Sequence, residues 1–136
     1  MLPGAIFTAP NATDGEYFRA RAAELLPRRE SLRRDAGLRG LVILFAGRLV
    51  ESIKGVSSLI RACGRLERAG IPLTLLATGE GPDLEPYKRL CREEGLRDAR
   101  FPGNLTHADL CRHYAVADVL VLPSRHETWG FVLNEA

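Results

Sequence analysis

Lysine is scarce in this 136-residue chain: Lys54 and Lys88 are the only two among 19 basic residues, and arginine supplies the rest. A lysine inside a motif is therefore more telling than usual. Net charge is also small. Seventeen acidic residues leave a formal +2, too little to imply a nucleic-acid or membrane partner by long-range attraction. No apolar run approaches the ~20 residues of a membrane-crossing helix. The opening MLPGAIFTAPNATDGEYF lacks a basic n-region and a long apolar h-region, so it does not read as a signal peptide. The cysteines, Cys63, Cys91 and Cys111, are odd in number, widely spaced and without a CxxC. That pattern excludes a disulfide framework and predicts reduced, buried thiols acting as small hydrophobes. His107, His113 and His126 show no metal-ligand spacing with one another or with the cysteines, so no metal site is expected.

What is present is alternation. Leu41 to Ala46, LVILFA, is a short continuous apolar run with glycine on either side, as expected of a strand buried on both faces. The polar stretch GRLVESIKG reads as a loop. Val56, Leu59, Ile60, Cys63 and Leu66 then follow helical spacing until Gly70 and Pro72 stop it. A second run spans Leu73 to Ala77. After TGEGP comes a helix with Leu84, Tyr87, Leu90 and Cys91 on one face, closed by Gly95. A short strand fits Ala99 to Phe101. PGNLTH leads into a helix carrying Leu110 and Tyr114, and Val119 to Leu122 forms a fourth strand. PSRHETWG precedes a last apolar segment, Phe131 to Ala136. Four strand–helix alternations predict an α/β fold, a Rossmann-like doubly wound parallel sheet with right-handed crossovers. Such sheets bind ligands at the carboxyl ends of their strands, and every unusual loop here directly follows a strand. Residues 1–40 differ: a turn-rich start, then an arginine-rich amphipathic stretch from Glu16 to Leu38 broken by Pro27. It reads as a solvated helical wrap around a domain of residues 41–136.

Three loops could carry chemistry. Arg48 and Lys54 lie after the first strand and before a helix, whose N-terminus offers free N–H groups and partial positive charge. A guanidinium and an ammonium beside it suit a diphosphate. GEGP, Gly79 to Pro82, lacks the third glycine of a dinucleotide loop and reads as a tight turn into the next helix. Glu127 and Glu135 stand eight positions apart with Trp129 and Gly130 between them. Carboxylates accept several hydrogen bonds and suit vicinal hydroxyls, and Gly130 lets backbone approach a ligand closely.

These residues resemble the C-terminal, donor-binding half of a GT-B glycosyltransferase of the retaining family 4, glycosyl transferases group 1. The stretches that carry the resemblance are APNATDGEYF, FAGRLVESIKGVSSLIRA, LLATGEGPDLEPYKRL, FPGNLTHADLCRHYAVADVLVLPS and ETWGFVLNEA. The resemblance implies that Arg48 and Lys54 hold the donor diphosphate, that Glu127 binds sugar hydroxyls near the reacting carbon, and that Glu135 binds the ribose. It implies backbone contacts from Trp129, Gly130 and Phe131 to sugar and phosphate, and passage of the nucleobase along Asn104, Leu105 and Thr106. No cofactor or metal is implied; the donor would be a UDP-, GDP- or ADP-sugar. Lys54 follows Arg48 by six positions, one more than the family's most frequent gap.

In the family an N-terminal domain binds the acceptor, and nothing here corresponds to it. The expectation is a fragment that begins near the interdomain junction and ends inside a helix, inactive alone and prone to self-association. The resemblance further implies a cytoplasmic enzyme, with peripheral membrane association open for the full-length form, and no nucleic-acid partner. Two rivals remain at this point. One is a non-catalytic nucleotide-binding module. The other is a dinucleotide-binding oxidoreductase domain, disfavoured because GRLVESIKG lacks the glycine spacing that admits a pyrophosphate in that fold.

Overall fold

The computed structural model describes residues 13–127 and 129–136. The start of the APNATD segment, through Ala12, lies outside them. Four parallel strands form one sheet in the order β3-β2-β1-β4: β1 (Leu41–Ala46), β2 (Leu73–Thr78), β3 (Ala99–Gly103) and β4 (Val119–Leu120). This is the expected doubly wound α/β sheet. The two apolar runs become its centre, where both faces are covered and alternate side chains serve different cores. Ile43, Phe45, Leu75 and Ala77 face helices α4 (Val56–Arg68) and α5 (Leu84–Glu93), meeting Leu59, Ile60, Cys63, Tyr87 and Cys91. Val42, Leu44 and Leu76 face the other way, against Val116 of α6 (His107–Val116). All three cysteines are free and buried, as expected, and burial raises the Cys63 and Cys91 thiols to about 11.

The amino-terminal stretch forms α1 (Gly15–Leu25), a single 3-10 turn holding Pro27, and α2 (Arg29–Asp35). One face of it is docked, while the rest is largely exposed. Phe18 and Leu25 are buried with Cys111 and Ala115 of α6, while Leu32 and Leu38 join the core on the sheet face. Two of its arginines are anchors. Arg29 donates to the Ala115 and Ala117 carbonyls, both at 3.1 Å, and Arg33 donates to Asp118 and the Gly40 carbonyl. Asp118 also accepts the Val42 amide at 2.7 Å, so one carboxylate ties α2, β1 and the start of β4 together. The helical wrap around the sheet is as expected and much of it is exposed; Arg29 and Arg33 depart from the solvated reading, because the acid that pairs them lies 89 and 85 positions away.

Two strand limits also differ from expectation. β3 extends to Gly103, its Pro102 tolerated because β3 is an edge strand. β4 stops at Leu120, although the Val121 amide still reaches the Leu44 carbonyl at 2.8 Å. Two residues on, Pro123 has no amide to continue the ladder.

Candidate active site at the carboxyl edge of the sheet

The loops after β1 and β2 are strapped together through their backbones. The Leu49 amide donates to the Glu80 carbonyl at 2.9 Å, and the Asp83 amide to the Leu49 carbonyl at 3.2 Å. A Cβ on Gly79 would collide with the Gly47 carbonyl, and one on Gly81 with the Leu49 carbonyl. The glycines of GEGP thus serve close loop packing at the turn into α5. This aligned pair of loops leaves Arg48 exposed at the edge. Among the described residues its guanidinium has no hydrogen-bond or ion-pair partner.

The polar stretch expected as a loop contains a helical turn, α3 (Glu51–Lys54), followed by Gly55 in the left-handed region at φ 60°. Lys54 therefore closes a turn instead of lying in a loop. Gly55 begins α4 without a side-chain cap. In its place the Glu51 carboxylate accepts the Ser57 amide at 3.0 Å and the Ser57 hydroxyl at 2.6 Å.

From this corner the Lys54 ammonium donates to Glu127 Oε2 at 2.5 Å, and Ser124 Oγ donates to the same oxygen at 3.0 Å. The Lys54 hydrogen bond holds the Glu127 carboxyl below its ordinary range; partial burial opposes this, and Ser124 adds to it. Two residues 73 positions apart thus meet where the loops after β1 and β4 converge. Trp129 is exposed, and Gly130, at φ 69°, opens the last helix, α7 (Phe131–Glu135). The left-handed backbone there favours glycine. Trp129 and Phe131 lie side by side, ring centroids 6.2 Å apart.

Glu135 points elsewhere. Its Oε2 accepts the Tyr114 hydroxyl at 2.8 Å, and burial together with this carboxylate raises the Tyr114 phenol well above its ordinary value. With Phe131, Glu135 lines a cavity of about 500 Å³ bounded by Asp14, Tyr17, Phe18 and His107. The two glutamates are thus divided between an ion pair and a cavity wall. Asn104 is exposed and Leu105 half-buried. Thr106 caps α6, accepting the Asp109 amide at 3.2 Å. Among the described residues no cluster of three His, Cys, Asp or Glu side chains is placed to hold a metal.

Sequence reasoning missed Glu51, Ser124, Arg125 and Tyr114. The available signals were an acid opening the turn that ends in Lys54 and a serine three positions before Glu127; Arg125 meets Glu51, and Tyr114 meets Glu135, only through the fold.

A parallel sheet of this order, with its loops gathered at the carboxyl edge, is Rossmann-like and matches that of GT-B glycosyltransferases of known structure. The chain belongs to the glycosyl transferases group 1 family, whose model matches residues 29–136. It is 32% identical over 115 residues to the alpha-D-kanosaminyltransferase of Streptomyces kanamyceticus, covering 83% of this chain and 30% of that protein. It is likewise 32% identical over 117 residues to a GDP-mannose-dependent alpha-(1-6)-phosphatidylinositol monomannoside mannosyltransferase of Mycobacterium tuberculosis, covering 85% and 29%. Among solved structures it is similar to the C-terminal domain of the group 1 glycosyl transferase LpcC from Francisella tularensis. That likeness has a TM-score of 0.65 at 26% identity and covers 79% of this chain and 59% of that one. The chain thus spans under a third of the length of these curated relatives.

Proposed function

We propose that this chain binds a nucleoside-diphosphate sugar and, within a complete enzyme, serves transfer of the sugar to an acceptor hydroxyl with retention at the anomeric carbon. The observation that carries the reading is the meeting of Lys54 and Glu127 beside the exposed Arg48. A diphosphate leaving group gains negative charge as its bond to the sugar breaks. Preorganised cations stabilise that charge more in the transition state than in the ground state. Arg48, without a competing carboxylate among the described residues, is free to take a phosphate oxygen. Lys54 can turn from Glu127 to a second oxygen as the donor enters. Glu127, released, accepts hydrogen bonds from sugar hydroxyls. In this reading the Glu135 carboxylate takes the ribose hydroxyls, and the backbone of Trp129 to Phe131 and the Asn104–Thr106 loop pass the sugar phosphate and the base. Relatives named for kanosaminyl and mannosyl transfer support the reaction class.

The acceptor belongs to a part of the enzyme outside this chain. The absence of a GxGxxG pattern after β1 speaks against a nicotinamide dinucleotide. Calorimetric titration with UDP, GDP and ADP, beside NAD, tests the reading. One nucleoside diphosphate should bind, and Arg48→Ala should weaken it by about ten- to a hundredfold. Failure of all three to bind, or an Arg48→Ala variant with unchanged affinity, would overturn it.

A further inference from the structure

We propose that Glu51 is the positioning residue of the candidate donor site: it sets the mutual placement of Lys54 and Glu127 without touching the donor. The proposal rests on the donor-site reading above and deepens it.

The Glu51 carboxylate gathers donors from three other segments. Ser57 of α4 gives its amide and hydroxyl, Tyr87 of α5 its hydroxyl at 3.0 Å, and Arg125 its guanidinium at 3.2 Å. The Glu51 amide in turn donates to Asp83 at 2.7 Å, tying the turn to the start of α5. Both carboxylate oxygens are therefore engaged, and the turn that ends in Lys54 is fixed against α4 and α5. The same turn also holds the loop after β4. The Arg125 and His126 amides both donate to the Ile53 carbonyl, at 2.9 and 3.3 Å. A Cβ on Gly55 would stand 2.8 Å from the Pro123 carbonyl, so the two segments are in close contact. Glu127 follows His126 directly. One four-residue turn thus carries Lys54 and grips the residues leading to Glu127.

Charge sharing completes the device. Glu51 stands three positions before Lys54 and could compete with Glu127 for its ammonium. Arg125 and the Ser57 hydroxyl occupy Glu51 Oε1, and the Tyr87 hydroxyl and Ser57 amide occupy Oε2. Lys54 is left to Glu127 and, as the donor enters, to a phosphate oxygen. A plain helix cap would explain the Ser57 bonds alone; it would not explain why a side chain from the β4 loop ends on the same carboxylate.

The test uses the whole chain and a double-mutant cycle. Binding of UDP and GDP is measured for wild type, Glu51→Gln, Lys54→Ala and the double variant, with melting temperatures alongside. Glu51→Gln should weaken the nucleoside diphosphate about tenfold, and the loss should disappear in the Lys54→Ala background. Its effect on melting should be equal in both backgrounds. A ligand-free readout comes from the lysine count: with Lys54 and Lys88 alone, lysine-selective 13Cε labelling gives two resolvable signals. Glu51→Gln should move the Lys54 signal and leave Lys88 in place. Tyr87→Phe, which removes one donor and keeps the carboxylate, should shift both readouts the same way by less, and it reports if Glu51→Gln does not fold. Additive losses, or an unmoved Lys54 signal, would overturn the positioning role alone. A moved signal with Lys54→Ala affinity unchanged would overturn the donor-site reading, and the role of Glu51 with it.

Discussion

Glu127 and Glu135 look equivalent in the sequence and are not so in the structure. Glu127 is held by an ammonium and a hydroxyl at the loop edge, whereas Glu135 accepts a phenol beside a cavity. Their effects on binding should therefore separate. Glutamine replacements keep size and test charge and acceptor count. We expect Glu135→Gln to weaken both a nucleoside diphosphate and its sugar conjugate, and Glu127→Gln to weaken the conjugate only. Each loss should be about tenfold to a hundredfold, the worth of one hydrogen bond to a charged group. Calorimetric titration of both ligands decides the matter; equal losses on both ligands from both variants would contradict the division. These residues drew attention in the sequence because the cations and carboxylates fell in, or just beyond, the segments that follow strands. The pairing of Lys54 with Glu127, and of Glu135 with Tyr114, was not legible, since each joins segments with no local signal linking them.

Among the elements, those that speak through hydrophobic period read correctly. LVILFA became β1 without a change of limits, and the apolar stripes of α4 and α5 became the faces that bury Cys63 and Cys91. Elements held by distant polar contacts were misread. The turn α3 depends on Ser57 and Tyr87 to satisfy Glu51, and α2 depends on Asp118 for its arginines. Asp118 makes the second dependence measurable. Burial alone would raise its carboxyl, but Arg33, the Val42 amide and Arg29 together lower it from 3.8 to about 2. A depressed folded-state value means the stabilisation is present above the unfolded value of 3.8 and is lost as pH falls through about 2. After allowance for solvent screening at this rim position, the contribution is about 1–2 kcal/mol. Denaturant melts between pH 5 and pH 2, taken as an order-of-magnitude window, should show a falling stability that Asp118→Asn flattens. An Asp118→Asn slope matching wild type would refute the clamp. Gly81→Ala probes the loop strap in the same way. Its Cβ has only the Leu49 backbone to move, so overpacking should cost about 1–3 kcal/mol in chemical denaturation.

At the scale of the whole molecule, the sheet is well covered on its faces and ends in two edge strands: β3, which carries Pro102, and the very short β4. β1 and β2 are paired on both sides, but β4 pairs only with β1 and contributes two residues. Val119 on that strand is 41% exposed, and after it the chain presents Trp129 and Leu133 at 55% and 61%. An edge strand with free N–H and C=O groups is a template for another strand, and exposed apolar side chains add to the tendency to associate. Charge does not oppose such contact, since the formal net charge is only +2. We therefore expect the chain to self-associate through the β4 side as its concentration rises. Sedimentation velocity across about a hundredfold range of concentration should show a rising weight-average mass. Val119→Lys, which places a charge on the edge strand as natural sheets do to block pairing, should return the chain to monomer. It should leave nucleoside-diphosphate affinity in place, because Val119 lies at the start of β4 while the candidate site lies beyond its carboxyl end. A chain that stays monomeric throughout the range would sink this prediction. So would a Val119→Lys variant that associates as strongly as wild type, since the contact would then lie on another surface.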